Sequence, residues 1–511
     1  MKSSCNFDEK RYTLDEAIEI AGHGKFNVFI ILISGIVMLG AGVETVTIAF
    51  VLPFVNCDLN MTTTQKGLAT SIQYLGIIIS SHFWGVLCDT WGRAKVIKLA
   101  AMCAFISATL SAFSVNATVL IFLRFIIGIF ISGLQASVFS YVSEFHTRTS
   151  APRAASFVSI FMPVIYLYAS IIGYFVIPMN WQFDIYFINF VPWRLFLILL
   201  ALVNAAIAIT FIFMPETPKF LLTMNEHDES VKVLRQMYAI NTGNSKEMYP
   251  VVHLIPEAAG NSLTATKGFL NILKLVWNQT KPIFVVPYLD STLKLCFLMF
   301  TLFAIGHGLT LWFPYFLNEL QNNMDSSNTL CGVIGHKRVV STSNDVCNAD
   351  NSNTTIYQVM FFIGLTFTIL STLISIYLDK ISPRILVPIW LVLSATCSVA
   401  LNVLTDFYSI VGTFITFQSC CICATIISAI SVSLFPTNVR AMATCFIYMF
   451  GRIGGLVGTN LVGVMVEHDC SLIFNVFGAL TLTCAFVFLF VKSKMPEPIQ
   501  KVQRNDGDGS A

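Results

Sequence analysis

Charged side chains are scarce in this chain. Of its 511 residues, 11% are charged and 55% are hydrophobic, and the mean hydropathy is +0.74. A soluble domain has about 25% charged residues, so this composition cannot give several domains a polar surface. A water-soluble enzyme is therefore excluded. The formal net charge of +2 gives no indication of nucleic-acid binding.

Several chemical motifs are missing as well. No Gly-x-x-x-x-Gly-Lys-Ser/Thr loop occurs, which argues against ATP-driven transport, and no nucleophile has an adjacent base. Three clustered cysteines lack a His or carboxylate at metal-ligand spacing, and we interpret them as apolar packing residues: Cys420, Cys421 and Cys423. No metal, cofactor or enzymatic activity is expected.

Long hydrophobic runs dominate the sequence instead. A helix needs about 20 apolar residues to cross a bilayer, and twelve such stretches are present. The first six run near Phe26 to Phe54, Gly67 to Cys88, Val96 to Phe113, Val119 to Tyr141, Phe157 to Ile177 and Trp193 to Met214. The second six run near Leu293 to Leu317, Tyr357 to Leu378, Ile385 to Val403, Tyr408 to Phe435, Ala441 to Val466 and Leu472 to Val491. The sequence predicts an all-α membrane protein.

The basic residues predict its orientation. Most of them lie in the loops after even-numbered spans or near the C-terminus: Arg93, Lys95, Lys98, Arg148, Arg153, Lys380, Arg384, Arg440, Lys492 and Lys494. The opposite loops hold Lys66, Lys337 and Arg338. By the positive-inside rule both termini are predicted to be cytoplasmic, and the first 25 residues lack the apolar core of a signal peptide. Plasma membrane and intracellular vesicle membrane both remain open.

Loop lengths divide the chain into segments. They are an N-terminal tail (1–25), a six-helix half (26–214), a cytoplasmic linker (215–290), a second six-helix half (291–491) and a C-terminal tail (492–511). In the linker, Val231, Leu234 and Met237 recur at helical spacing, which predicts a short surface helix.

One outer loop is long. It covers 318–355 and carries Cys331 and Cys347, for which we expect a disulfide, and a sequon at Asn353, for which we expect a glycan.

The two halves repeat each other. Short motifs after spans two, four and six return after spans eight, ten and twelve, offset by 290, 287 and 281 residues. Similar offsets indicate duplication and predict two pseudo-symmetric six-helix halves. Secondary transporters have such repeats, with a substrate site near the bilayer midplane between them.

These motifs carry a family resemblance. The sequence from Gly85 to Lys95 resembles the loop signature of the major facilitator superfamily. Several further motifs are similar to the synaptic vesicle glycoprotein 2 branch: Gly42-Val43-Glu44, Phe50-Val51-Leu52-Pro53, the run from Phe139 to Phe145 and the run from Gly308 to Pro314. The resemblance implies a cytoplasmic gate that latches the halves: Gly85, Asp89, Gly92, Arg93, Glu144, Arg153, Asp379, Arg384 and Arg440.

The chain also departs from that branch. It lacks the large outer domain between spans seven and eight, and Ala41 replaces one residue of an acidic pair in span one. In span ten, Ala424 and Ser428 stand where the branch has Trp and Asp. Roles tied to those features are not carried over.

Polar residues within the spans are candidates for the solute and proton pathway: Glu44, Gln73, Arg124, Gln135, His307, Trp312 and Gln418. For Glu44 we favour proton coupling or cation binding over a structural hydrogen bond, because a carboxylate in a bilayer is costly. Arg124 suits anion binding or pairing with Glu44, as well as a snorkelling role. The others could contact solute or pack between helices. Arg452, among the glycines of span eleven, could join the gate.

Two functions follow. The first is a secondary transporter that moves a small organic solute by alternating access. The solute could be an organic cation, an organic anion or a sugar, and protons are the favoured coupling ion. The second is a transport-inactive membrane receptor or regulator. Either protein is expected to be a monomer in the lipid bilayer without a nucleic-acid partner.

Overall fold

The computed structural model describes residues 11–185, 188–255, 281–285, 288–322, 329–333, 354–377, 382–435 and 437–491. Twelve of the described helices are long and apolar enough to cross a membrane, which confirms the predicted fold class of two six-helix halves. Large hydrophobic side chains cover the outside of the bundle, among them Phe83, Phe122 and Phe213, as expected where lipid replaces water.

The helices of the first half follow the predicted spans. Their bounds, with two linker helices, are α1 Leu14–Ala21, α2 Lys25–Leu59, α3 Thr63–Trp91, α4 Arg93–Ala112, α5 Ala117–Ser143, α6 Ala151–Ser159, α7 Phe161–Val176, α8 Pro192–Phe213, α9 Pro218–Thr223 and α10 His227–Thr242. Span five consists of α6 and α7. Strands β1 Arg11–Tyr12, β2 Phe183–Ile185, β3 Ile188–Phe190 and β4 His253–Leu254 form two short sheets, with β1 parallel to β4 and β2 antiparallel to β3.

The second half has the same number of spans. Its helices are α11 Leu289–Asn322, α12 Thr355–Tyr377, α13 Pro383–Ala400, α14 Phe407–Gln418, α15 Cys423–Leu434, α16 Thr437–His468 and α17 Cys470–Leu489. A 3₁₀ turn over Ser419–Ile422 joins α14 and α15 into span ten.

Two helices extend beyond their predicted ends. Helix α2 continues to Leu59 instead of Phe54, and α11 continues to Asn322, into the region assigned to the outer loop. Each contains a proline, Pro53 or Pro314, near the predicted end. Helices inside a packed bundle tolerate such a proline because neighbouring groups satisfy the freed backbone atoms.

Glycines allow two very close helix crossings. A Cβ at Gly128 of α5 would lie 2.3 Å from the carbonyl oxygen of Gln73 in α3. A Cβ at Gly454 of α16 would lie 2.0 Å from the carbonyl oxygen of Phe300 in α11. The glycines of span eleven therefore allow α16 to pack closely against α11.

We call the face where α2 begins and α17 ends the terminal face, and the other the opposite face. Toward the opposite face the halves contact each other in several places. The Tyr357 hydroxyl donates to the Phe50 carbonyl at 3.4 Å, and Asn460 Nδ2 donates to Ser71 Oγ at 2.8 Å. Lys66 Nζ lies 5.5 Å from the ring centre of Tyr315.

A small clasp covers the terminal face. The Asn241 amide in α10 donates to the Gly22 carbonyl at 2.7 Å and accepts from the Phe26 amide at 2.9 Å. The Tyr249 hydroxyl donates to the Ala17 carbonyl at 2.6 Å. Helix α10 buries Leu234 with its neighbours Val231 and Met237, which confirms the predicted linker helix. The chain before span one and the linker are thus bound to each other.

Candidate functional site

A charge pair lies at the centre of the first half. Arg124 Nη1 of α5 donates to Glu44 Oε2 of α2 at 3.4 Å, and both side chains are buried, 0% and 1% exposed. Asn204 Nδ2 of α8 donates to the second oxygen of Glu44 at 3.3 Å, and Arg124 Nη2 donates to Ser111 Oγ of α4 at 3.3 Å. Four helices therefore enclose the pair.

The pair is only partly satisfied. Arg124 Nε and Asn204 Oδ1 are sealed from solvent without a hydrogen-bond partner among the described residues. Of the two roles weighed for Arg124, the structure shows the pairing with Glu44. Because the guanidinium is enclosed, it is not presented to a solute in this conformation. The coupling role of Glu44 stays a prediction.

A polar network closes the terminal face of the first half. Arg93 Nη2 contacts Asp89 Oδ1 at 2.9 Å and Glu144 Oε1 at 3.1 Å. Thr217 Oγ1 donates to Glu144 Oε2 at 2.6 Å. Burial raises the pKa of Glu144, against the lowering effect of Arg93. The pairing of signature residues with Glu144 is as predicted, while its gating role remains a proposal.

Two residues of this network were missed from the sequence. Glu216 Oε1 accepts from the backbone amides of Arg93 at 2.9 Å and Ala94 at 3.0 Å. A carboxylate there satisfies the free amides at the start of α4 and complements the helix dipole. The Thr217 hydroxyl donates a hydrogen bond to Glu144. The motif from Pro215 to Lys219 was recognised, but nothing in its local spacing indicates that it folds back onto span three.

Other predicted gate residues lie elsewhere. Arg153 is exposed and contacts the Phe157 ring at 5.9 Å, so the structure does not bring it into the network of Arg93 and Glu144. Arg384 is exposed and has no ion pair within the described chain. Asp379 and the Arg440 side chain lie outside the described residues.

The two signature glycines differ. Gly92 has a φ of +108°, and a Cβ there would lie 2.4 Å from Glu216 Oε2, so the tight turn requires glycine. A Cβ at Gly85 would meet no atom within 4 Å, so the close approach predicted there is wrong.

His307 lies between the halves. Its ring centroid is 5.2 Å from that of Tyr74 in α3 and 5.1 Å from that of Phe303 in α11. Gly455 of α16 lies beside both: a Cβ there would be 3.5 Å from the His307 ring and 3.6 Å from the Tyr74 ring. The Tyr74 hydroxyl is sealed and has no hydrogen-bond partner in the described chain.

The remaining span candidates are packed between helices. Trp312 is 1% exposed and donates from Nε1 to the Thr459 carbonyl at 2.9 Å, so it cannot form the predicted aromatic wall in this conformation. Gln418 Nε2 donates to the Gly306 carbonyl at 2.7 Å. Gln73 is buried, and its amide nitrogen has no partner among the described groups.

Gln135 forms a hydrogen bond across the boundary between the halves. Arg452 Nη2 of α16 donates to Gln135 Oε1 of α5 at 3.2 Å. Arg452 stands fifteen residues after Thr437 and sixteen before His468, near the middle of α16. Our expectation that it joins the terminal-face gate is therefore wrong, because the guanidinium lies near the middle of the span and bonds to Gln135.

The opposite face contains a disulfide with an unexpected partner. Cys331 is bonded to Cys470 at the start of α17, so the expected Cys331 to Cys347 bond is wrong. Cys57 near the end of α2 is also disulfide-bonded. Cys347 and the sequon residue Asn353 lie outside the described residues.

Twelve membrane-spanning helices in two halves, with charged side chains at the centre, define the architectural class of secondary transporters. The family model described as Major Facilitator Superfamily matches residues 30–336 and 347–508. The chain belongs to this superfamily. Its family and fold are generally those of carriers rather than enzymes.

Among known proteins the chain is similar to synaptic vesicle glycoproteins 2. It is 30% identical to synaptic vesicle glycoprotein 2B of Mus musculus over 334 residues, which are 62% of this chain and 49% of that protein. It is 30% identical to synaptic vesicle glycoprotein 2C of Homo sapiens over 323 residues, 60% of this chain and 44% of that protein. The chain spans about half the length of the curated relatives it matches.

Among solved structures the chain is similar to XylE from E. coli. A partially occluded inward-open structure of this xylose transporter has a TM-score of 0.65 at 14% identity, covering 92% of this chain and 100% of that one. The structure of the proton:xylose symporter XylE bound to 6-bromo-6-deoxy-D-glucose has a TM-score of 0.62 at 14% identity, covering 92% and 97%. At this identity the likeness establishes the fold.

Proposed function

We propose that the protein is a secondary active transporter that moves a small organic solute by alternating access, with proton coupling through Glu44. The observation that carries the proposal is the enclosed Glu44 and Arg124 pair. Removing two charges from water costs several kcal/mol per ion, and a loose pair recovers only part of that cost. Ionisable residues in the middle of a membrane bundle are therefore retained for function more readily than for stability.

The incomplete bonding of the pair suits a switch. The single contact between the two side chains is 3.4 Å long, and Arg124 Nε is sealed without a partner in the described chain. A proton on Glu44 would remove its charge and leave Arg124 uncompensated. The four helices around the pair would then favour an arrangement in which Arg124 finds another partner. This links protonation to helix movement.

Alternating access needs contacts between the halves that can break. The contacts near the opposite face are single hydrogen bonds and ring contacts, such as Tyr357 with Phe50 and Asn460 with Ser71. The network of Arg93 and Glu144 lies in the first half alone. We infer that this arrangement is closed toward the opposite face. The named neighbour XylE, a proton:xylose symporter, supports a proton-coupled carrier.

We also propose that the terminal face is cytoplasmic. The excess of basic residues on that side supports this orientation. The Cys331 to Cys470 disulfide on the opposite face supports an oxidising environment there. The segments 1–25, 26–214, 215–290, 291–491 and 492–511 remain our proposed organisation, in a monomer embedded in lipid.

The test is ligand stabilisation of the purified protein. Organic cations, organic anions and sugars are compared at about pH 5.5 and about pH 7.5. The variants are wild type, Glu44→Gln and the control Asp58→Asn, which breaks another carboxylate pair, with Arg194 at 2.9 Å, near the opposite face. We expect one solute class to stabilise wild type and Asp58→Asn in a pH-dependent way.

In Glu44→Gln the solute should still stabilise, but the pH dependence should disappear. If no solute stabilises folded wild type at either pH, the transporter proposal fails. The transport-inactive regulator then becomes the better account, consistent with the similarity to synaptic vesicle glycoproteins 2.

A further inference from the structure

Charged side chains are rare in the middle of the spans. Among the described membrane-spanning helices, three Arg, Lys, Asp or Glu residues lie more than six residues from either helix end: Glu44, Arg124 and Arg452. Glu44 and Arg124 offset each other at 3.4 Å. Arg452 contributes a positive charge that no carboxylate of the described chain offsets.

Arg452 points to the boundary between the halves. It belongs to the second half, and its hydrogen bond reaches Gln135 of the first half at 3.2 Å. Its side chain is directed away from lipid, because the partner lies across the bundle. Tyr448, one helical turn before it on α16, lies within electrostatic range of the guanidinium.

The remaining N–H donors of Arg452 are not sealed within the protein. Arg452 is partly exposed, and its Nε and Nη1 atoms have no hydrogen-bond partner among the described residues. They also differ from Arg124 Nε, which is sealed within the protein. Cys445, two turns before Arg452 on the same face of α16, is exposed. Because Arg452 on this face is directed toward Gln135, we infer that the exposed face borders the space between the halves.

We propose that Arg452, with Gln135 and Tyr448, is the anion-binding subsite of the solute pathway, and that the solute carries one net negative charge. This rests on the transporter function proposed above and names its substrate class. The planar guanidinium binds carboxylate or sulfonate groups through paired N–H donors, and its Nε and Nη1 are free to do so. Gln135 fixes the group by accepting from Nη2, and its own amide nitrogen can donate to the same anion.

The neutral surroundings support a monovalent solute. Tyr448 hydrogen bonds to Ser428 at 2.6 Å, and neither residue is charged. A cationic solute would meet the guanidinium without a carboxylate to offset it. Arg124, which we considered as an anion site, is already neutralised by Glu44.

The first test uses Cys445 as a reporter and needs no known substrate. Purified full-length protein is treated with a sulfonate-bearing or a trimethylammonium-bearing methanethiosulfonate, and the rate of Cys445 modification is measured by mass spectrometry. Wild type should favour the anionic reagent. In Arg452→Gln the ratio of the two rates should fall about tenfold, while Arg452→Lys should keep most of it.

The control is Arg153→Gln, which removes an exposed arginine and should leave the rate ratio unchanged. If Arg452→Gln also leaves the ratio unchanged, the proposed subsite is wrong. If Arg452→Gln does not fold, Arg452→Lys and Gln135→Leu decide the question. Gln135→Leu should keep the charge preference and weaken anion binding.

The second test compares three ligands with the same ring. Benzenesulfonate is an anion, benzenesulfonamide is neutral and phenyltrimethylammonium is a cation, and none changes charge near neutral pH. Benzenesulfonate should stabilise wild type above the other two, and Arg452→Gln should lose that preference at least tenfold in apparent Kd. A preference for the neutral or cationic ligand overturns the anion assignment and leaves the transporter proposal standing. Absence of stabilisation by all three, with an unchanged Cys445 ratio, also overturns it.

Discussion

The two arginines deep in the bundle, Arg124 and Arg452, have different surroundings. Arg124 is 0% exposed and offset by Glu44, whereas Arg452 is partly exposed and bonded to a neutral amide. Both lie within membrane spans of a pseudo-symmetric fold, Arg124 seven residues into α5 and Arg452 near the middle of α16. The duplicated halves therefore share their helices but not their charged residues. In the first half Glu44 neutralises Arg124, whereas in the second half the charge of Arg452 is left for a bound solute.

The terminal face shows the same inequality. In the first half, Arg93 is bound to Asp89 and Glu144, and Glu216 caps the next helix. In the second half, Arg384 is exposed and has no ion pair within the described chain. The loop after span eight has Ser382 and Pro383 where the signature has Gly-Arg, so its sequence lacks the glycine that the turn at Gly92 requires.

The largest effect is expected from breaking the enclosed pair. Glu44→Gln leaves Arg124 buried without a carboxylate and should lower the free energy of unfolding by about 3 to 5 kcal/mol. Arg452→Gln loses no ion pair and should change it by about 1 kcal/mol or less. Thermal unfolding in detergent, followed by tryptophan fluorescence, measures both.

A double variant sharpens this comparison. Glu44→Gln combined with Arg124→Gln removes both charges and should be more stable than Glu44→Gln alone, giving an interaction energy of about 1 to 3 kcal/mol. Equal stability of the single and double variants would mean that the two side chains do not depend on each other.

The signature glycines provide the next largest contrast. Gly92→Ala forces a side chain into a φ of +108° and against Glu216, and should cost about 1 to 3 kcal/mol. Gly85→Ala adds a methyl group in open space within a helix, and should be neutral or stabilising by up to about 1 kcal/mol. Unfolding temperatures of the two variants test this directly. A similar loss in both would show that the turn is not the reason for Gly92.

A smaller effect is expected within the network of the first half. Thr217→Val removes the 2.6 Å hydrogen bond to Glu144 and should cost about 1 kcal/mol. Arg153→Gln alters an exposed side chain and should stay within about 0.5 kcal/mol. Chemical unfolding of the two variants side by side separates them, and a larger loss for Arg153→Gln would place Arg153 in the network after all.

The smallest effect concerns pH beside the clasp, where the His146 ring stacks on the ring of His23 with 6.0 Å between centroids. Burial lowers the pKa of His146 below 6.5, and the nearby His23 adds to this, while a bond to the Val142 carbonyl opposes it. Between the lowered pKa of folded His146 and the unfolded value of about 6.5, the folded state binds fewer protons than the unfolded state. Stability therefore rises with pH in this range, and part of it is lost as the pH falls below about 6.5. The protection of α1 against hydrogen exchange, relative to the intrinsic rate at each pH, should therefore decrease in acid.

His146→Asn removes the titrating group from the clasp and serves as the control. Its hydrogen exchange should lose the acid dependence below about pH 6.5. Acid dependence that survives in this variant would assign the effect to another group.

The sequence predicted the spans because the apolar length that crosses a bilayer is fixed. It also singled out Asp89 and Arg93 as charged residues of one short motif, and the structure places them in contact at 2.9 Å. Contacts between residues that are far apart in the sequence could not be predicted from such local patterns. Cys331 bonds to Cys470, 139 residues further along the chain, and no local pattern distinguishes that partner from Cys347.

The charged centre was predicted in part for the same reason. Glu44 and Arg124 were singled out because charge inside an apolar run is conspicuous, and their contact followed as one of two alternatives. Arg452 was assigned to the gate, whereas it lies near the middle of α16 and bonds to Gln135, a contact over 317 residues that no local pattern indicates. Glu216 was missed as a helix cap because its partners lie more than 120 residues away.

The most direct test of the account is proton movement driven by a solute. Wild type and Glu44→Gln are reconstituted into liposomes that contain a pH-sensitive dye, and benzenesulfonate, benzenesulfonamide or phenyltrimethylammonium is added outside. Proton-coupled anion transport predicts acidification inside wild-type liposomes with benzenesulfonate and none with Glu44→Gln. Folded wild-type protein that moves no protons with any of the three would contradict the account.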